Sequence, residues 1–204
     1  MARRDRPDHY SRRAKKEGYQ ARSVYKLSEI DEKAGILARG ARVLDVGAAP
    51  GSWSRYALGR VGENGFVCSV DLKPIDLPPA ANLRGIEGDV LDLRVRAVLR
   101  EAGPFDAVIS DAAPSTTGNR TVDSARSAEL VETVLGLADE VLAPGGHLVA
   151  KLFQGGDEQT LLRSLQERFA RARIQRPRAS RSESFEVFLV GTDFRPRGAP
   201  GRAD

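Results

Sequence analysis

Four aspartates, Asp45, Asp71, Asp89 and Asp111, stand at or just past the ends of apolar, strand-like runs, and a lysine, Lys151, sits inside another. Charged groups at such positions are costly to bury unless something pairs with them, so they call for partners or a ligand. The first aspartate gives the clearest lead. Arg42-Val-Leu-Asp45-Val-Gly47-Ala-Ala-Pro50-Gly51-Ser-Trp53 reads as a buried strand that breaks at a glycine turn and opens a helix. Gly47 and Gly51 lack the Cβ that would hold a ligand off the backbone, and such a crevice is where doubly wound α/β folds bind nucleotide-like cofactors. The G-x-x-x-G spacing is not that of a dinucleotide fold, and no Lys-Ser/Thr follows, which excludes a Walker phosphate loop. Phe66–Asp71 ends in an acid 24 residues past Gly47, well placed to accept hydrogen bonds from two ribose hydroxyls. Asp89, just after Leu83–Glu87, is placed to bind an adenine amino group. Either acid alone suits an ordinary strand-end turn equally well. With the glycine turn, the cofactor reading is the stronger. Trp53, at the start of the next helix, suits either a wall of the cofactor pocket or a packed core, or both.

Ligand crevices in open α/β sheets lie at the carboxyl ends of strands, where Asp111 falls after Phe105–Ser110. Lys151 falls in Leu148–Phe153. Lys26 lies off the apolar stripe of its helix, and from position alone it reads as a surface lysine paired with Glu29 at i+3. Glu186 likewise reads as a solvent-facing position in a half-buried strand. The loop Pro114-Ser-Thr-Thr-Gly-Asn-Arg120 is rich in turn residues; it suits a plain connector as well as a segment that orders over a nucleic acid, with Arg120 near a phosphate.

These groups need a scaffold, and the pattern supplies one. A helix is expected over 21–34, with Val24, Leu27 and Ile30 at near-helical spacing. Strands are expected near 42–47, 66–71, 83–87, 106–111, 147–153 and 185–192, with a further strand-like stretch at 173–175. The longest helix should run from Val122 to Leu142 and stop at Pro144-Gly145-Gly146. Strands alternating with helices imply an α/β fold, a mostly parallel sheet covered on both faces, here seven-stranded with one antiparallel strand from a terminal hairpin.

At this point the chain resembles a family. Asp45-Val-Gly-Ala-Ala-Pro-Gly-Ser-Trp53 looks like the S-adenosylmethionine motif of the FtsJ/RrmJ-type ribose 2′-O-methyltransferases. Ser23-Val-Tyr-Lys26-Leu, Ser110-Asp111-Ala-Ala-Pro114, Val149-Ala-Lys151-Leu-Phe-Gln154 and Ser184-Phe-Glu186-Val-Phe-Leu-Val190 are similar to its other signatures, in the same order. The likeness spans residues 5–195 and departs at Ser52, where the family usually has a second glycine. It is nearest to the branch that methylates a uridine ribose of large-subunit ribosomal RNA. The resemblance implies a Rossmann-like S-adenosylmethionine-dependent methyltransferase fold. It also implies a Lys-Asp-Lys-Glu catalytic set at Lys26, Asp111, Lys151 and Glu186. The cofactor residues would be Asp45, Gly47, Pro50, Gly51, Trp53, Asp71, Asp89 and Asp111. The partner would be the large ribosomal subunit or its 23S ribosomal RNA, with Lys151 receiving the hydroxyl proton or orienting the hydroxyl while water takes it.

Charge distribution is consistent with RNA. The net charge is only +4, yet residues 1–22 carry Arg3, Arg4, Arg6, Arg12, Arg13, Lys15, Lys16 and Arg22 against Asp5, Asp8 and Glu17. Tyr10 and Tyr19 are interleaved and suited to stacking. A second cluster runs through Arg163, Arg168, Arg171, Arg173, Arg176, Arg178 and Arg181. Such patches supply sequence-independent phosphate affinity, though basic runs are more often solvated faces. We expect Arg12, Arg13, Lys15, Lys16, Arg22 and Arg120 to contact RNA. The expected organisation is a basic, partly flexible segment over 1–20, a catalytic domain over 21–194 and a disordered tail over 195–204. No apolar stretch approaches a membrane span or a secretory signal, the lone Cys68 suits a reducing cytoplasm, and His9 and His147 make no zinc pattern, so no metal is expected. With no exposed heptad, a monomer is expected. The alternatives are a transfer RNA or cap ribose methyltransferase, or an RNA-binding assembly factor without catalysis. A dehydrogenase is disfavoured by the glycine spacing.

Overall fold

The apolar runs bounded by turns become seven strands, and the segments between most of them become helices. The computed structural model describes residues 9–180 and 184–196. In chain order the elements are α1 (His9–Lys16), α2 (Val24–Ala34), β1 (Arg42–Val46), α3 (Ser52–Val61), β2 (Phe66–Asp71), β3 (Leu83–Glu87) and α4 (Leu93–Ala102). They continue with β4 (Phe105–Ser110), α5 (Arg120–Val141), β5 (Leu142–Phe153), α6 (Glu158–Gln166), β6 (Phe169–Gln175) and β7 (Glu186–Phe194). The strands form one sheet in the order β3-β2-β1-β4-β5-β7-β6. Only β7 runs against the rest, antiparallel to both β5 and β6, so the expected mixed seven-stranded sheet is the one observed.

Both faces are covered, which is why the central strands read as near-continuous apolar runs. On one face Val43, Val67, Ile109, Val149 and Phe188 pack beneath Leu27 and Ile30 of α2 and Trp53 and Ala57 of α3. On the other, Leu44, Cys68, Val108, Leu148 and Leu189 pack beneath α4, α5 and α6.

Register turns this packing into a site. Val46 pairs with Val70 and with Ser110, and Ser110 pairs with Ala150. The residues that follow, Gly47, Asp71 and Asp111, therefore emerge side by side at the carboxyl ends of three strands, next to Lys151 near the end of β5. Because β7 is antiparallel, its first residue, Glu186, pairs with Phe153 at the same edge.

Several boundaries differ from expectation. Helix α2 begins at Val24 rather than Ala21, because the Ala21 N–H donates to Ser52 Oγ at 2.8 Å and pins this stretch to the start of α3. Helix α5 ends at Val141, within one residue of the expected end, but β5 begins at once at Leu142 rather than at residue 147, so Pro144-Gly145-Gly146 lies within the strand. The β4–β5 register shifts there, between Phe105 and Ala107, and an irregularity of this kind tolerates Pro inside a sheet. The loop before α5 is also tied down: Asp123 accepts from the N–H groups of Thr117 and Gly118, and Asn119 caps Thr121 and Val122. Residues 9–16, inside the segment expected to be basic and partly flexible, form α1; the expected tail beyond residue 196 lies outside the described residues.

Helix α2 is fixed to α3 by a buried carboxylate. Asp31 accepts from Leu37 N–H (2.8 Å), Tyr56 O–H (3.1 Å) and Arg60 Nε (2.8 Å) and is 1% exposed. Asp31→Ala strands a buried N–H, and we expect a loss of about 2 kcal/mol, read as a lower urea midpoint with an unchanged denaturant slope.

Candidate active site

The glycine turn forms the floor of a cleft of about 360 Å³, bounded by Asp71, Asp89 and Asp111. Gly47 has φ 73°, and a Cβ there would lie 2.5 Å from the Cβ of Ala112, so only glycine lets the turn approach the segment after β4. Asp71 shapes the turn through Oδ2, which accepts from Ala49 N–H at 3.0 Å, and Oδ1 accepts from Lys73 N–H at 2.9 Å. Asp89 Oδ1 accepts from Leu91 N–H at 2.9 Å, the strand-end turn contact its position also allowed. Three carboxylates around an otherwise mainly apolar cleft suit a cationic nucleoside cofactor, and the volume fits a ligand of that size.

Asp45, Pro50, Gly51 and Trp53 do not line this cleft. Trp53 is 2% exposed, packs 5.9 Å from the Phe188 ring and donates Nε1–H to the Ser23 carbonyl at 3.0 Å, so it is a core residue that ties α3 to the start of α2. Gly51, at φ 117°, lies against Leu77, and Pro50 is exposed on the turn. Asp45 is completely buried behind the turn. Its Oδ2 accepts from Ser54 Oγ at 2.6 Å, Ser54 in turn accepts from Ser69 Oγ at 2.9 Å, and Oδ1 has no hydrogen-bond donor. The serine chain was not anticipated, although Ser69 interrupting the apolar run of β2 was its signal.

Two ion pairs stand beside the cleft. Lys151 Nζ donates to the Asp111 carbonyl at 2.5 Å and lies 3.0 Å from Asp111 Oδ1, a charge contact outside hydrogen-bond alignment. Lys26 Nζ contacts Glu186 Oε1 at 2.5 Å, with side chains only 11% and 10% exposed. Lys26 is thus no surface partner of Glu29, which instead pairs with Lys33. Nor does Glu186 face solvent. Burial alone would raise the Glu186 carboxyl, but the Lys26 hydrogen bond and charge, with the charge of Lys151, outweigh it and hold the group below the ordinary glutamate range. Lys26 and Glu186, which position alone read as surface residues, thus lie with Lys151 and Asp111, and Asp111 lines the cleft.

The chain matches the FtsJ-like methyltransferase family over residues 19–194. The chain belongs to that family. It is 49% identical over 190 residues to the ribosomal RNA large subunit methyltransferase E of Treponema denticola, covering 93% of this chain and 96% of the relative. The protein of the same name from Methanothermobacter thermautotrophicus is 46% identical, covering 92% and 90%. A putative ribosomal RNA methyltransferase from Plasmodium falciparum, solved by crystallography, superposes with a TM-score of 0.74 at 27% identity and covers 88% of this chain and 100% of that one.

The FtsJ-like region takes in α2 to β7 and leaves α1 outside it. Arg12, Lys15 and Lys16 on α1 are exposed; Arg13 is bound to Glu17 and lies over the Tyr25 ring. Arg22 does not stand free for a ligand, since it donates to the Ala179 carbonyl and lies 5.4 Å over Tyr10. Arg120 is exposed at the start of α5. In the second cluster Arg168 is buried and bound to Asp139 and Ser164, whereas Arg3, Arg4, Arg6 and Arg181 lie outside the described residues. Among the described residues, no helix is long and apolar enough to cross a membrane.

Burial, helped by the charges of Asp111 and Asp71, raises the Asp45 carboxyl from 3.8 to about 7, while the Ser54 hydrogen bond opposes the rise. A carboxyl raised on folding is stabilising while protonated, so its contribution is complete below pH 3.8 and disappears as pH climbs through about 7. Asp45→Asn should flatten the fall in unfolding free energy across that window, as measured by denaturant titration at stepped pH. An unaltered slope would assign the pH dependence elsewhere.

Proposed function

We propose that the chain transfers the methyl group of S-adenosylmethionine to a ribose 2′-hydroxyl of a uridine in the 23S ribosomal RNA of the large ribosomal subunit. The observation that carries this reading is the pair of nearly dehydrated Lys–carboxylate contacts, one of them made by Asp111 of the carboxylate-lined cleft. The names of relatives at 41–49% identity support the substrate.

Asp71 and Asp89 would hold the hydroxyl and amino groups of the cofactor's nucleoside, and Gly47 would let it lie against the backbone. When bound, S-adenosylmethionine supplies a methyl carbon already activated by its sulfonium sulfur. Everything else is positioning. As the cationic partner of Asp111, Lys151 donates hydrogen bonds and accepts none, so it orients the 2′-hydroxyl oxygen by donating to it. The hydroxyl proton would leave to water as the new carbon–oxygen bond forms and the methyl–sulfur bond breaks, leaving S-adenosylhomocysteine. Asp111 holds Lys151 through both its carbonyl and its carboxylate. Lys26 and Glu186 hold the acceptor ribose from the α2 side, where their mutual pairing keeps both charges fixed before RNA arrives.

Residues 21–194 form the catalytic domain in this reading, and the basic segment before it supplies phosphate contacts through Arg12, Lys15 and Lys16. With no separate RNA-binding module in the described residues, recognition rests on the shape of an assembled particle. A cytoplasmic monomer suits that role.

Methyl transfer from labelled S-adenosylmethionine to unmodified large subunits, naked 23S ribosomal RNA and transfer RNA tests the assignment. We expect label in the subunits above all, and a loss of about a hundred-fold or more in kcat for Lys151→Ala with cofactor binding retained. Label chiefly in transfer RNA, or an undiminished Lys151→Ala variant, would overturn it.

A further inference from the structure

Five of the seven phenylalanines belong to the core or pack against it; Phe153 and Phe185 do neither. These two touch each other, with ring centroids 4.8 Å apart, and both are partly exposed. Their placement is specific. Phe153 lies two residues beyond Lys151 on the same face of β5, about 7 Å along the strand, and Phe185 immediately precedes Glu186. The Arg120 guanidinium lies 5.1 Å over the Phe185 ring, and among the described residues it forms no ion pair. An aromatic pair with a layered arginine thus adjoins Lys151, the group proposed to orient the 2′-hydroxyl, and Glu186, one of the two proposed to hold the acceptor ribose.

The backbone beneath this pair is held firmly. Phe153 N–H donates to Ser127 Oγ at 3.0 Å, Gln154 N–H donates to the Phe185 carbonyl at 2.8 Å, and Ser124 Oγ donates to the Gln154 carbonyl at 3.0 Å. Both serines belong to α5, the helix that begins with Arg120. All three side chains are therefore mounted on elements locked to one another, which suits a binding surface whose ordering cost is met in advance.

We propose that Arg120, Phe153 and Phe185 form a stacking shelf for a base of the RNA strand that carries the acceptor ribose. This rests on the RNA reading of the site. Whatever lies on the shelf must be continuous with a ribose held at Lys151 and Glu186, so the occupant is the target base or an immediate neighbour. A flat, π-rich base matches the rings, and the arginine adds a cationic layer and attraction for the adjoining phosphate. Because every base has a stacking face, the shelf contributes affinity and placement without reading base identity.

Kinetics on unmodified large subunits test this with Phe185→Leu, Phe185→Tyr and Arg120→Ala. Phe185→Leu, apolar but unable to stack, should raise KM about ten-fold. The loss should fall on KM rather than kcat, with cofactor affinity unmoved. Phe185→Tyr should restore the wild-type KM, and Arg120→Ala, altering only an exposed side chain, should raise KM in the same direction. A leucine variant with wild-type KM, a tyrosine variant as poor as leucine, or a loss confined to kcat would overturn the shelf while leaving the RNA reading intact. If the wild-type protein labelled no RNA at all, both would fall together.

Discussion

Four charged side chains, each nine-tenths or four-fifths withdrawn from water, face one another where the sheet meets α2, and the need to neutralise them organises this end of the molecule. Removing one partner from such a pair leaves a buried charge uncompensated, which costs far more than the pair contributes. The fold meets this demand through register. Lys151 lies beside Asp111 because the residues before them pair across β4 and β5. Glu186 reaches the same edge only because β7 is inserted antiparallel, so that its first residue rather than its last lies at the carboxyl end of β5. Helix α2 completes the set with Lys26, and Asp31, one helical turn and a half further on, fixes that helix to α3 behind the glycine turn.

Much of this was legible because it is local. An apolar run ending in an acid, followed by glycine, states both a strand and its carboxyl end, and Asp71, Asp111 and Gly47 fall where that pattern puts them. The pairing of Lys26 with Glu186 is different. It joins residues far apart in the chain, and position alone favoured Glu29 at i+3 as a local partner on a helix surface; the structure gives Glu29 to Lys33 instead. Pro144-Gly145-Gly146 concealed the true start of β5 for a related reason. The triplet is a strong breaker, but the sheet absorbs it as an irregularity in β5 that local pattern cannot distinguish from a helix stop.

Basic clusters were legible as charge but not as function. Arg168 spends its charge on Asp139 inside the fold, and Arg22 is held by the 179 carbonyl and Tyr10, whereas Arg12, Lys15 and Lys16 remain exposed. Aromatic residues divide in the same way. All four tyrosines gather around α1, α2 and α3 in a small cluster with Ala14, Val24 and Ala179, which docks the basic helix against the domain. Beneath the glycine turn, the Asp45–Ser54–Ser69 chain gives the turn a polar support that is entirely buried. Positions of this kind follow from which elements come to face one another, and no window of sequence contains that information.

The central claim is that these paired charges present a ribose oxygen, and no base atom, to the methyl group. The most direct measurement is alkaline hydrolysis of large-subunit RNA labelled by the protein, because cleavage proceeds through a free 2′-hydroxyl. Label recovered in a single hydrolysis-resistant dinucleotide is the predicted result. Label released entirely in mononucleotides would place the methyl group on a base and contradict the account.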